Sequence, residues 1–169
     1  MNELPDIWRK ELWHPMVVHF PIVMLLLSTI ARILVHTVRA NTSSSFWLKL
    51  SRVLLFPGVI LAWITVYTGS VADGEVVRNL CDPTVLETHE NLGYTVGILF
   101  TLAAVVDVLH NFVPLHSKSI YYWFRTGLIL LLMLAGSATL AYEAHLGASL
   151  VYQQGAGVYH PAEDCREFE

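Results

Sequence analysis

Four long apolar stretches constrain this chain more than any other feature of its sequence. They cover about residues 15–38, 53–71, 88–113 and 120–146. A helix needs roughly 20 apolar residues to cross the hydrocarbon core of a bilayer. Only 14% of the 169 residues are charged, against about 25% in soluble domains. Since every backbone group inside lipid needs an internal hydrogen-bond partner, we predict an all-α integral membrane protein, a single four-helix transmembrane bundle over residues 1–169.

The charges of the connections between these stretches predict the orientation. Four spans place both termini and the 72–87 loop on one side, and the 39–52 and 113–119 connections on the other. The second side holds six of the ten basic residues: Arg32, Arg39, Lys49, Arg52, Lys118 and Arg125. Basic residues near span ends stay in the cytoplasm. We therefore expect a multi-pass protein of the bacterial inner membrane with both termini on the extracytoplasmic, periplasmic side.

The two cysteines, Cys81 and Cys165, both fall on the predicted periplasmic side. Disulfides persist in that compartment, and a bond between them would tie the 72–87 loop to the C-terminal tail. The C-x-x-C-H signature of covalently attached haem is absent from the sequence. No serine or cysteine nucleophile arrangement is present either, and we expect no nucleic-acid partner.

Histidines near the predicted periplasmic ends of helices 1, 3 and 4 are the main candidate site. They are His14, His19, His89 and His145. Pro15 suits a first helical turn, which would leave His14 at the cap position. Helices of a bundle converge, and polar side chains at membrane depth usually mark a functional site. We therefore predict that these four histidines share one polar site.

Haem b is the first cofactor that such a site suggests. Haem bound without covalent attachment takes axial ligands such as histidine, so four histidines would hold one or two haems. The flat ring needs a slot between helices, and small residues lie beside the histidines: Gly93, Gly97, Ala138 and Ala141. Close helix packing is the other explanation of these small residues.

Two other classes of function fit the same residues. Several histidines with nearby carboxylates also suit a transition metal ion such as zinc, copper or iron, and Glu87 and Glu143 lie within a turn of His89 or His145. Alternatively, the histidines form a hydrogen-bonded cluster that binds nothing. The protein would then be a structural accessory subunit of a respiratory or photosynthetic complex.

Four short motifs carry a family resemblance. They are HPMVVHFP at 14–21, TGSVA at 68–72, THENLG at 88–93 and HLGASLVYQQGAG at 145–157. In this order they resemble the bacterial membrane family called domain of unknown function 2231, with Ala148 where that family usually has a second glycine. The resemblance points to the same four histidines. It also implies an electron-transfer setting, because relatives occur beside or fused to c-type cytochrome domains.

The function expected from the sequence is therefore that of a small b-type cytochrome-like subunit. It would pass electrons between quinone or a membrane complex and an extracytoplasmic cytochrome. Histidine ligation on both faces of a haem leaves no open position, which favours electron transfer over enzymatic catalysis. The expected partners are membrane lipid, other subunits of the complex and a basic c-type cytochrome, which the acidic outer face would attract.

Overall fold

The computed structural model describes residues 8–37, 42–112 and 120–158 as four long helices with short connections. The helices are α1 (Lys10–Thr37), α2 (Thr42–Val76), α3 (Pro83–Phe112) and α4 (Ile120–Tyr152), and a 3₁₀ turn (Val77–Asn79) follows α2. Each of the four helices is long and apolar enough to cross a membrane. The predicted fold, an all-helical bundle of four transmembrane helices, is thereby confirmed.

The helix ends differ from the sequence-based bounds because helices continue beyond the apolar core. α2 begins at Thr42 and ends at Val76, so most of the segment predicted as the 39–52 connection is helical. α4 runs on to Tyr152. α1 begins at Lys10, which places His14 and Pro15 inside the helix instead of at its cap. Hydropathy indicates which residues lie inside the bilayer, whereas the backbone hydrogen bonds determine where a helix begins and ends.

The connections cap the helices with ordinary local chemistry. Asp82 precedes α3, and its side chain accepts hydrogen bonds from the Thr84 backbone N–H and hydroxyl, as an N-cap residue does. These bonds lower the pKa of the exposed Asp82 carboxyl. The end of α4 reaches Gly155, which has a φ of 70°, and Ala156 N–H closes back on the Leu150 carbonyl. Left-handed glycine is the usual way to end a helix.

The helices form two antiparallel hairpins, α1–α2 and α3–α4. Packing is closest within each hairpin, and the hairpins meet each other along α2–α3 and α1–α4. α1 and α3 therefore lie diagonally across the bundle. We call the end that contains His14 and His89 the histidine end, and the opposite end, which contains Arg32 and Arg52, the arginine end.

The two hairpins are built alike. An offset of 75 residues relates Arg32 to Asp107, and the same offset relates His14 to His89 and the buried Leu25 to the buried Phe100. A second constant offset relates α2 to α4. It pairs Leu55 with Met133, Gly58 with Gly136, Thr65 with Glu143, and Gly69 with Gly147. Because α1 and α3 run in the same direction, the hairpins are related by a pseudo-two-fold axis along the bundle.

The core follows this repeat. Leu25 and Phe100 are both fully buried, and each packs against a glycine of its own hairpin. A Cβ atom on Gly58 would lie 2.9 Å from Leu25 Cδ2, and one on Gly136 would lie 2.7 Å from Phe100 Cε2. Both distances are below van der Waals contact. The glycines therefore let the helices of each hairpin approach closely, as small residues do in membrane proteins.

Candidate functional site

His14 is held by α2 at the histidine end. Its Nδ1 lies 3.0 Å from the backbone carbonyl oxygen of Thr65. The ring rests against Gly69, one turn further along α2, where an added Cβ would lie 3.1 Å from Nδ1. Glycine at this position leaves the space that the imidazole occupies.

His89 is held by α4 in the same way. Its Nδ1 lies 3.0 Å from the backbone carbonyl oxygen of Glu143. The ring rests against Gly147, where an added Cβ would lie 3.1 Å from Cε1 of the imidazole. Each hairpin thus presents one histidine from its first helix, oriented by a carbonyl and a glycine of its second helix.

These hydrogen bonds fix the protonation of both rings. A carbonyl oxygen only accepts hydrogen bonds, so Nδ1 of each imidazole carries the proton. In a neutral imidazole the lone pair is then on Nε2, which is the usual arrangement of a metal-ligating histidine. The centroids of the two rings are 6.0 Å apart and their planes are inclined at 84°. The bundle therefore brings two potential donor rings together across the boundary between the hairpins.

A buried carboxylate lies beside one member of this pair. Oε1 of Glu143 is 3.6 Å from Nε2 of His89, and the Glu143 side chain is 9% exposed. The separation is too long for a hydrogen bond. Thr65 occupies the equivalent position beside His14, and its hydroxyl is buried with no hydrogen-bond partner among the described residues. The two imidazoles of the site are therefore equivalent. The side chain next to each of them differs, since it is Glu143 beside His89 and Thr65 beside His14.

The other two histidines of the predicted quartet lie elsewhere. His19 is exposed, and its Nδ1 donates to the Pro15 carbonyl within α1 at 2.9 Å. It is five positions after His14, which corresponds to about 140° around a helix. His145 is exposed on α4. A ring contact joins His14 and His89, and the ligand roles of His19 and His145 stay predictions.

The small residues of the predicted haem slot do not form one gap. Gly93 borders Glu143, since an added Cβ would lie 3.8 Å from Oε1 of that side chain. Gly97 is covered by the indole of Trp63, at 3.2 Å from an added Cβ. Ala138 and Ala141 are exposed on α4. Gly93 is therefore the member of the predicted slot that lies next to a side chain of the histidine site, that of Glu143.

The remaining candidate residues are separate from the pair. Glu87, an alternative metal ligand, is exposed. Across residues 8–37, 42–112 and 120–158, no three histidine, cysteine, aspartate or glutamate side chains are grouped as a metal site. Cys81 is exposed before α3, and Cys165 lies outside the described residues, so the predicted disulfide stays a prediction.

Three residues of the site were not identified from the sequence. Thr65 offers only its backbone carbonyl, which any residue type would provide. Gly69 and Gly147 carried a usable signal, because they occupy the TGSVA and HLGASLVYQQGAG motifs. A motif glycine on a helix indicates close approach of another group, here an imidazole.

Comparison with known families identifies one family over most of the chain. The family described as "Predicted membrane protein (DUF2231)" matches residues 12–160. The chain belongs to the DUF2231 family. The DUF2231 match covers both hairpins and every residue of the histidine pair and its supports. For this DUF2231 protein, no curated protein and no solved structure gives a match.

Proposed function

We propose that this protein binds one haem b between its two hairpins, with Nε2 of His14 and Nε2 of His89 as the axial ligands. The observation that carries the proposal is the histidine pair itself. The two imidazoles come from different hairpins, both have Nδ1 bonded to a carbonyl, and their centroids are 6.0 Å apart.

The number of converging donors favours haem over a bare ion. Structural and catalytic zinc sites use three or four protein ligands, whereas haem brings four nitrogens of its own and needs two from the protein. Imidazole nitrogens lie about 2 Å from a ligated metal. Two rings on opposite sides of one ion therefore have centres about 6 Å apart, which agrees with the observed separation of 6.0 Å.

The residues around His14 and His89 orient their imidazoles as ligands. The carbonyls of Thr65 and Glu143 orient the rings, and hydrogen bonds of this kind also raise the basicity of the ligating nitrogen. Gly69 and Gly147 hold the imidazoles against their own hairpins. Because the two imidazoles come from different hairpins and meet at the boundary between them, a ligand that both histidines hold would lie at that boundary.

Haem held by two histidines is a one-electron carrier with no open coordination position, so the proposed role is electron transfer. The site lies near the histidine end, where several acidic residues are exposed: Glu75, Asp82 and Glu87. Such a surface attracts a basic protein with salt-sensitive association. We propose that this end faces the periplasm and exchanges electrons with a c-type cytochrome, while quinone or a membrane complex supplies or accepts them within the bilayer.

The test is an absorption spectrum of the purified protein in detergent, oxidised and then reduced with dithionite, with pyridine extraction to count haem per chain. We expect a sharp reduced α-band and one haem per chain. His14→Ala and His89→Ala should each lose it, whereas His36→Ala, an exposed histidine at the arginine end, should retain it. A colourless protein made with haem in adequate supply would contradict the proposal.

A transition metal ion is the second candidate, and one observation favours it. The Glu143 carboxylate is 3.6 Å from Nε2 of His89, so small side-chain movements would add an oxygen donor to the two imidazoles. Metal analysis of a colourless preparation would detect this ion. Glu143→Gln should then release the metal, whereas it should leave haem occupancy intact if the first proposal holds.

A further inference from the structure

The arginine end contains a cluster of three charged side chains, of which those of Arg32 and Asp107 are buried. Arg32 donates from Nη2 to Oδ1 of Asp107 at 2.8 Å, and Arg52 donates from Nε to Oδ2 at 2.7 Å. The side chain of Asp107 is 1% exposed and that of Arg32 is 4% exposed. Two guanidinium groups share one carboxylate, so the cluster carries one positive charge in excess.

Few acidic residues of the chain are close enough in sequence to neutralise this excess positive charge. The sequence has no acidic residue between Glu11 and Asp73, and Asp107 is the only one between Glu90 and Glu143. Nε of Arg32 is buried with no hydrogen-bond partner among the described residues. Charge at membrane depth is costly unless it is paired. The cluster therefore favours an anion from outside the chain.

Arg52 is the member of the cluster that such an anion can reach. Its side chain is 26% exposed, and Lys49 is exposed one turn earlier on α2. The apolar part of α2 starts directly after Arg52, and the aromatic residues Phe46 and Trp47 lie further out. Tryptophan residues such as Trp47 are enriched at the membrane interface. From this order of residues along α2 we expect Arg52 to lie at the depth where lipid phosphates meet the hydrocarbon.

An apolar groove runs from this point toward the middle of the bundle. It lies between α2 and α3 and has a volume of about 280 Å³. Its lining residues are Phe56, Thr101, Ala104, Val105, Val108 and Leu109, and their exposed surface is entirely apolar. The Thr101 hydroxyl donates a hydrogen bond to the Gly97 carbonyl and accepts one from the Trp63 indole N–H.

The groove and the charge are adjacent. Phe56 is one turn after Arg52 on α2, and Val108 directly follows Asp107 on α3. From Thr101 to Leu109 the groove extends over about 12 Å of helix, which suits part of an acyl chain. A hydrocarbon chain that begins beside a positive group is the pattern of an anionic phospholipid.

We propose that the arginine end binds one anionic phospholipid, with its phosphate at Arg52 and Lys49 and one acyl chain in the α2–α3 groove. The groove excludes free phosphate as the intended ligand, since phosphate would leave the apolar lining unused. The excess charge disfavours a neutral quinone in the same place. This inference does not depend on what the histidine pair binds.

Native mass spectrometry of the full-length protein in detergent tests the proposal, with phosphatidylglycerol and phosphatidylcholine as probes of equal acyl length. We expect one retained phosphatidylglycerol per chain and weaker retention of phosphatidylcholine. Arg52→Gln should weaken phosphatidylglycerol binding about fivefold, because a cationic residue near the surface contributes about 1 kcal/mol to binding an anionic lipid. The matched control is Arg78→Gln, an exposed arginine at the histidine end, which should bind as the unmodified chain does.

A second variant separates the groove from the charge. Val105→Trp fills the groove and keeps all three charged residues, and it should weaken both lipids. Equal binding of the two lipids by the unmodified chain, or equal effects of Arg52→Gln and Arg78→Gln, would overturn the proposal. Displacement of the lipid by inorganic phosphate would also overturn it. So would a retained quinone that Val105→Trp removes without affecting phosphatidylglycerol.

Discussion

The contact between an imidazole and a motif glycine is the feature on which the site depends most directly. A Cβ on Gly69 would lie 3.1 Å from Nδ1 of His14, closer than a hydrogen-bonded ring tolerates without moving. Since Nδ1 is bonded to the Thr65 carbonyl on the same helix, any displacement also weakens that bond. The same reasoning applies to Gly147 and His89.

We therefore expect Gly69→Ala and Gly147→Ala to lower cofactor affinity about tenfold, the smaller end of the effect that altered ligand support usually has. Titration of the cofactor into the depleted protein measures this. Gly74→Ala is the control, because an added Cβ there meets nothing within 4 Å. Unchanged affinity in both site variants would show that the glycines have no role in placing the histidines.

Individual residues also show how far the sequence alone could lead. His14 and His89 were identified as site residues because imidazoles are uncommon at membrane depth. The ligand role of His19 stays a prediction, and its position five residues after His14 corresponds to about 140° around the helix. The role of Thr65 could not be predicted from the sequence, because every residue type has the backbone carbonyl that it contributes.

Close packing within the α3–α4 hairpin depends on Gly136. A Cβ at this position would lie 2.7 Å from the ring of Phe100, which is fully buried and has no free direction in which to move. We expect Gly136→Ala to lower the free energy of unfolding by about 1–3 kcal/mol, the usual cost of overpacking. Denaturation in mixed detergent micelles measures this change.

The comparison variant lies on the same helix. An added Cβ on Gly127 meets nothing within 4 Å, so Gly127→Ala should be neutral or slightly stabilising through its better helix propensity. Equal stability of the two variants would mean that α3 and α4 approach less closely than the contact between Gly136 and Phe100 indicates.

Helix existence was predictable, and helix ends were not. The apolar runs identify all four helices because lipid requires internally bonded backbone. The start of α2 at Thr42 was hidden by the polar Thr42–Ser45 run, which reads as a loop by composition. Likewise, the exposed position of Ala138 depends on which face of α4 meets α3, and one sequence does not fix that rotation.

The orientation of the bundle in the membrane is a prediction from charge, and Cys81 provides its test. Cys81 is exposed in the connection before α3, at the histidine end. In a Cys165→Ser background, we expect an impermeant maleimide to label Cys81 in intact cells, because the positive-inside rule places this end in the periplasm. Labelling of Cys81 only after the membrane is permeabilised would invert the orientation.

The similarity of the two hairpins has a consequence for the order in which this protein assembles. Each histidine is bonded to a carbonyl of its own hairpin, so the bond that orients each imidazole does not need the other hairpin. Contacts between the halves are fewer than contacts within them. A ligand shared by His14 and His89 would therefore stabilise the contact between the two hairpins. With the ligand bound, we expect the four helices to unfold together. Without it, we expect the two hairpins to separate from each other first.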